Sequence, residues 1–286
     1  MFDAIAQKIQ DQRIQFAGQD ITIRRLDQIH PHISGNKFFK LKYNLQQAKQ
    51  LGYRKLLSFG GAYSNHIAAT AFSAQYFGFE SVGIIRGEEL KSRPLNSTLS
   101  TAQGLGMQLE FVSREYYRQK NHPDYLAQLQ QDYPEHYVIP EGGTNALAIQ
   151  GCSEILNASD AEFDVVCCAV GTGGTITGLI EASRPHQYVL GFSALKGDFL
   201  QRDVAQLTTK SNWQILDDYC CGGYAKTTAE LLLFIQQFEQ QFNIPLEPIY
   251  TGKMLYGLQD LIAKNILNRD QKILLIHTGG LQGRRV

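Results

Sequence analysis

The chain has 286 residues, 43% of them hydrophobic and 19% charged, which is enough apolar material for a sizeable core and excludes a disordered chain. Lys plus Arg and Asp plus Glu each total 27, so the formal charge is zero and no basic excess exists to draw nucleic acid or an anionic membrane. The expected ligand is therefore small.

The opening segment MFDAIAQKIQDQRIQF is amphipathic, but it carries acidic residues and lacks the continuous apolar run of a signal peptide. No apolar run reaches membrane-spanning length, so a cytoplasmic location is expected. The stretch HISGNKFFKLKYN, His32 to Asn44, puts Lys37 directly after a Ser-Gly-Asn turn, at the start of a helical pattern over 37–51. From there short apolar runs alternate with longer amphipathic ones. Strands are expected at 54–59, 80–86, 107–113, 136–140, 163–170, 188–194 and 272–278. Further helices are expected at 65–77, 94–105, 122–132, 145–157, 174–184, 226–241 and 254–266. Such alternation produces right-handed βαβ units and a parallel sheet covered on both faces, so the fold class is α/β. No Pro-, Gly- or Ser-rich linker divides the chain, and a second domain is expected as an insertion into the first.

In α/β sheets ligands gather beyond the carboxyl ends of the strands, where helix N-termini offer free N–H groups. Four glycine clusters, FGGAYSNH, PEGGTNA, AVGTGGTITG and HTGGLQG, each follow an expected strand and point to one shared cleft. In VGTGGTITGLI, the loop Gly171, Thr172, Gly173, Gly174 and Thr175 joins a buried strand to an apolar helix and suits a phosphate. No Gly-Lys-Ser/Thr follows it, and the dinucleotide fingerprint is missing, which argues against an ATPase or a nicotinamide oxidoreductase. In FGGAYSNHIAATA, Ser64 or Asn65 can cap a helix, or the turn can cradle a carboxylate. Ser64 with His66 makes only a weak hydrolase pair, because no acid partner is identifiable. Cys152, Cys167, Cys168, Cys220 and Cys221 lack metal or thioredoxin-like spacing and are expected to be small buried apolar residues in a reducing compartment. No metal site is expected.

A lysine nucleophile needs a carbonyl partner, and a phosphate cradle suggests the phosphorylated aldehyde pyridoxal 5'-phosphate. SGNKFFKLKYN, GGAYSNH, PEGGTNALA, VGTGGTITGL, IYTGKMLYGL and IHTGG stand in the order found in one group of pyridoxal-phosphate enzymes. The chain resembles the 1-aminocyclopropane-1-carboxylate deaminase and D-cysteine desulfhydrase family, within the tryptophan synthase β-subunit superfamily, from about Ile21 to Gly283. The resemblance implies the second pyridoxal-phosphate fold type: a large domain of residues 1–40 and 149–286, and an inserted small domain of 41–148. It makes Lys37 the covalent anchor of the cofactor, Lys40 a second phosphate contact, and Gly171 to Thr175 the phosphate loop. Asn65 is implied to bond the ring hydroxyl, Ser64 with the neighbouring amides to hold the substrate carboxylate or supply a hydroxyl to the reaction, and Tyr63, Asn65 and His66 to face the substrate. Tyr250 is implied to lie on the pyridine ring and Tyr224 near the substrate, although both are equally readable as core aromatics. A homodimer is implied by the resemblance alone.

The family pattern has a glutamate after the tyrosine in its deaminases, where this chain has Thr251. A threonine can only hydrogen-bond the ring nitrogen, and this tilts the expected reaction toward β-elimination of the D-cysteine desulfhydrase kind, giving an α-keto acid and ammonia. The alternatives are a 1-aminocyclopropane-1-carboxylate deaminase, a D-serine-type ammonia-lyase and a non-catalytic cofactor-binding protein. Phe39, Lys42 and Tyr63 replace an arginine, a glutamate and a glutamine of the family pattern; Lys42 is expected to be a solvated surface charge.

Overall fold

The structure, a computed structural model, describes residues 1–284; the last two residues of the expected large domain, 285 and 286, lie outside the described residues. The strands are β1 (Asp11–Phe16), β2 (Gln19–Arg25), β3 (Lys55–Gly60), β4 (Glu80–Arg86), β5 (Met107–Val112), β6 (His136–Ile139), β7 (Val165–Val170), β8 (Tyr188–Ser193), β9 (Trp213–Leu216) and β10 (Ile273–His277). The helices are α1 (Asn36–Gln50), α2 (Asn65–Phe77), α3 (Ser97–Gly104), α4 (Arg114–Arg118), α5 (Pro123–Asp132), α6 (Ala146–Ser153), α7 (Gly174–Ala182), α8 (Phe199–Ala205), α9 (Ala229–Phe242) and α10 (Thr251–Ala263). Among the described residues no helix is long and apolar enough to cross a membrane.

A six-stranded sheet runs β1-β2-β10-β7-β8-β9, and a four-stranded sheet runs β5-β4-β3-β6. Every pairing is parallel except β1 with β2. All seven strands expected from the apolar runs are present. The β1–β2 hairpin was not expected, because β1 (DQRIQF) is an edge strand with mostly polar, exposed positions. Its turn is two residues, Ala17 and Gly18, both at positive φ, which is the twist a tight hairpin requires. β9 also escaped the apolar-run criterion, being a four-residue edge strand.

Within β7 every residue is buried, and its alternate positions serve opposite layers. Val166, Cys168 and Val170 join the core beneath α1, α6 and α7, while Val165, Cys167 and Ala169 join the core beneath α9 and α10. Cys167 and Cys168 thus face opposite sides of the sheet as small apolar residues. Burial pushes the Cys167 thiol up to about 12 and the Cys168 thiol higher still. Phe39, where the family pattern has arginine, is 5% exposed and packs in the α1 layer of the core. Lys42 is not a solvated charge: its Nζ pairs with Asp3 at 2.8 Å and Glu154 at 2.7 Å.

The start of α1 is placed by a close backbone approach. Gly35 sits at φ 68, and a Cβ there would lie 1.9 Å from the Thr278 carbonyl oxygen, just beyond β10. The Asn36 N–H donates to that carbonyl at 3.2 Å. β2 is tied to the segment before β7 by Arg24, whose guanidinium donates twice to Asp160 (2.6 and 2.7 Å) and twice to Asp11 (2.9 and 2.6 Å). Both Arg24 and Asp160 are buried, so deleting the guanidinium leaves an uncompensated carboxylate. Arg24→Ala is expected to lower the unfolding free energy by about 3–5 kcal/mol in urea titration; a loss within about 0.5 kcal/mol would show that water or another cation takes over the carboxylate.

Candidate active site

The loops after β3, β7 and β10 and the first turn of α1 enclose a cavity of about 240 Å³ between the two sheets. Lys37 faces it half-buried, its Nζ donating to the Asn36 carboxamide at 3.2 Å. Burial, reinforced by the neighbouring Lys40 charge, lowers the Lys37 amine from 10.5 to about 7. Lys40, one turn on, is 2% exposed and donates to the Gly142 carbonyl (2.8 Å) and the hydroxyls of Thr144 (3.0 Å) and Thr172 (3.1 Å). Its three partners are neutral oxygens, so a buried cation is left open to an anion. Burial lowers its amine as well.

Gly171, Thr172, Gly173 and Thr175 line the cavity with the two lysines. α7 starts at Gly174 without a side-chain cap, which leaves its first amides directed at the loop. A Cβ on Gly174 would stand 2.9 Å from the Thr144 hydroxyl and 3.2 Å from Lys40 Nζ, and one on Gly171 would stand 2.9 Å from the Tyr250 ring. Gly174 is therefore needed beside the cavity without lining it. Thr175 Oγ1 accepts from the Asn36 carboxamide at 2.7 Å, which links the loop to the turn that carries Lys37.

On the opposite wall Ser64 caps α2, accepting from the Ile67 N–H at 3.2 Å. The Asn65 side-chain oxygen Oδ1 accepts from the Gln282 carboxamide at 2.6 Å. His66 is 2% exposed and its Nε2 lies 2.7 Å from the Ser58 hydroxyl, which donates its proton to the Ile139 carbonyl at 2.9 Å. The ring must therefore donate through Nε2, which assigns the tautomer from the network. Burial first, then the two lysines, hold His66 well below its usual titration range. It is neutral, and its partner is Ser58 rather than Ser64. Tyr250 and Tyr224 line the cavity with ring centroids 6.3 Å apart, Tyr224 being 40% exposed, and Tyr63 stands at the rim at 46% exposed. Burial raises the Tyr250 phenol well above its usual range.

Thr251 does not line the cavity. Its hydroxyl donates at 3.1 Å to the carboxylate of Glu247, which does. Glu247 is 2% exposed and accepts from the amides of Ile249 (2.8 Å), Tyr250 (2.8 Å) and Thr251 (2.6 Å), capping α10. Burial raises its carboxyl against the lowering effect of those amides. The signal for this residue lay in the sequence as Glu-Pro-Ile-Tyr directly before a helical pattern, the setting of a capping acid. Arg86 and Glu141 are cavity residues that sequence reasoning also missed.

A half-buried lysine with a lowered amine, set against an anion cradle at strand ends, defines an α/β enzyme built around a phosphorylated cofactor. The chain belongs to the family of pyridoxal-phosphate dependent enzymes, whose pattern matches residues 12–279. A Pyrococcus horikoshii protein provisionally named as a 1-aminocyclopropane-1-carboxylate deaminase is 32% identical over 93% of this chain and 86% of its own length. The bifunctional D-cysteine desulfhydrase/1-aminocyclopropane-1-carboxylate deaminase of Arabidopsis thaliana mitochondria is 30% identical over 93% of this chain and 73% of its own length. A solved structure of an ACC deaminase homologue superposes with a TM-score of 0.81 at 28% identity, covering 98% of this chain and 91% of that one.

The donor set fits the cofactor: a neutral-range amine for its aldehyde, and a buried ammonium with hydroxyls and helix amides for its phosphate. Because the folded-state value of Lys37 is lowered, its amine is neutral above about 7 and protonated below. The rate at which cofactor-free protein captures pyridoxal phosphate, followed by absorbance, is expected to rise about tenfold per pH unit below neutrality and then level off. A rise continuing toward the ordinary lysine value of 10.5 would show that the cavity does not lower this amine.

Proposed function

We propose that the chain is a lyase that acts on a small amino acid by β-elimination of the D-cysteine desulfhydrase kind. The observation that carries this is the Lys37 amine, lowered to about 7 beside a phosphate cradle. Pyridoxal phosphate, when bound, supplies an electron sink for negative charge at the substrate's α-carbon. Lys37 would hold the cofactor covalently, and its Nζ would take the substrate's α-proton, a task suited to a base titrating near neutrality. Lys40, Thr172 and the Gly171–Thr175 loop would hold the phosphate, and Asn65 would bond the ring hydroxyl. Ser64 and the first amides of α2, those of Asn65 and His66, orient the substrate carboxylate, a role favoured by the positive end of the helix. Tyr250 walls the ring, while Tyr63 and Tyr224 bound the substrate side.

Thr251 is not the support for choosing this reaction, since its hydroxyl is already engaged by Glu247. The support is the likeness to the Arabidopsis bifunctional enzyme together with the base at Lys37. The Glu247 carboxylate favours a second reading, 1-aminocyclopropane-1-carboxylate deamination, because a carboxyl at the cavity wall can keep a pyridine nitrogen protonated and strengthen the sink.

Residues 1–40 with 149–286 and residues 41–148 are proposed as the large and small domains. The separate sheets support this, with the boundary at 40/41 falling inside α1, and closure of one on the other would exclude water. A cytoplasmic location is supported by five free cysteines. A homodimer is supported by the adjacent exposed residues Leu232 and Leu233 on α9; light scattering that returns the single-chain 32.1 kDa would refute it.

Holoenzyme given D-cysteine is expected to release pyruvate, sulfide and ammonia, and Lys37→Ala to lose at least about a thousandfold of that rate. Release of 2-oxobutyrate from 1-aminocyclopropane-1-carboxylate alone would favour the second reading, and ammonia from D-serine alone a D-serine-type lyase. Absence of turnover on all three by cofactor-loaded protein would point to a non-catalytic binder.

A further inference from the structure

We infer that the cavity reads a second anionic group on its substrate through Arg86, so that the preferred amino acid carries an acidic β-substituent of the phosphate class. This rests on the lyase reading. Arg86 ends β4, beside the β3 strand whose following loop presents α2. Its guanidinium lines the cavity and lies over Gly61, where a Cβ would stand 3.4 Å from Nη2. It stacks on the Tyr117 ring, 5.7 Å from the centroid, which fixes the plane of the fork.

Among the described residues no hydrogen bond or ion pair reaches this guanidinium. The carboxylates on the cavity wall are committed elsewhere. Glu141 accepts from the Tyr117 hydroxyl at 2.6 Å and pairs with Lys120 at 3.1 Å, and Glu247 is held by backbone amides. Arg86 is half-buried on the cavity wall and, apart from the Tyr117 ring, has no partner for its guanidinium among the described residues. A guanidinium with no anionic partner among the described residues offers its fork to an anionic ligand.

The other anions of the reaction already have their own donors. The cofactor phosphate has Lys40 and the α7 loop, and the substrate's α-carboxylate has the α2 amides. The remaining anion is the β-substituent. With O-phosphoserine, Lys37 takes the α-proton, the Cα–Cβ double bond forms as the Cβ–O bond breaks, and phosphate leaves with the electron pair. Water then completes pyruvate and ammonium, and no oxidant or reductant is needed. Arg86 would hold the phosphate by two parallel N–H donors as its charge grows.

The test uses holoenzyme titrated with 2-amino-3-phosphonopropionate, whose phosphonate cannot leave, against alanine, which lacks it, in both hands and followed by the cofactor's absorbance. The phosphonate is expected to bind at least about tenfold tighter than alanine, the advantage to vanish in Arg86→Gln, and Arg86→Lys to restore part of it. Phosphate release should likewise be faster from O-phosphoserine than ammonia release from serine of the same hand. Equal binding of phosphonate and alanine by the unaltered holoenzyme would overturn the inference. So would an equal loss for both ligands in Arg86→Gln, because Arg86 would then be serving the α-carboxylate. Turnover of D-cysteine without a phosphonate preference defeats this inference alone, whereas binding without turnover of any substrate defeats the lyase reading alone.

Discussion

Two backbones that nearly touch determine where the chemistry can occur. Gly35 approaches the Thr278 carbonyl so closely that a Cβ would meet its oxygen at 1.9 Å, and its own N–H is held by the Leu26 carbonyl at 2.9 Å. Any side chain at 35 would push the start of α1 off the end of β10, and at φ 68 only glycine is unstrained. The contact turns the first residues of α1 toward the strand ends. Lys37 faces the cavity, Lys40 reaches the β7–α7 loop, and Asn36 ties that loop to the same turn.

The second constraint is electrostatic. The chain is neutral overall, yet it concentrates Lys37, Lys40 and Arg86 on one cavity, whose two carboxylates are both engaged by the protein itself. Burial lowers both amines, and the Lys40 charge adds to the lowering at Lys37. His66 contributes by staying neutral, pinned by Ser58 through Nε2. The uncapped start of α7 and the Ser64-capped start of α2 add positive ends from two sides. The site is therefore electropositive, which suits the phosphate of the family's cofactor.

Much of this was legible in the sequence, for identifiable reasons. Strands buried on both faces read as continuous apolar runs, so β7 and β10 declare themselves; β1, exposed and alternating at an edge, does not. Glycine clusters mark strand ends because close approach excludes a side chain, as at Gly171 and Gly174. What sequence could not supply was the third dimension around each polar side chain. Thr251 reads as a ring contact until Glu247, four residues earlier, folds back across it as a helix cap. Lys42 reads as solvated until Asp3 and Glu154 arrive from distant segments. Arg86 carries no motif at all, and it is distinguished by a guanidinium on the cavity wall with no hydrogen bond or ion pair among the described residues.

Lys37 is the residue proposed to bond the cofactor, and borohydride can fix that bond chemically. Holoenzyme reduced with borohydride, digested and analysed by mass spectrometry should carry the pyridoxyl group on the peptide containing Lys37 and on no other. Label on Lys40 or Lys253, the two fully buried lysines among the described residues, or an unlabelled digest from protein that had shown the cofactor's absorbance, would contradict it.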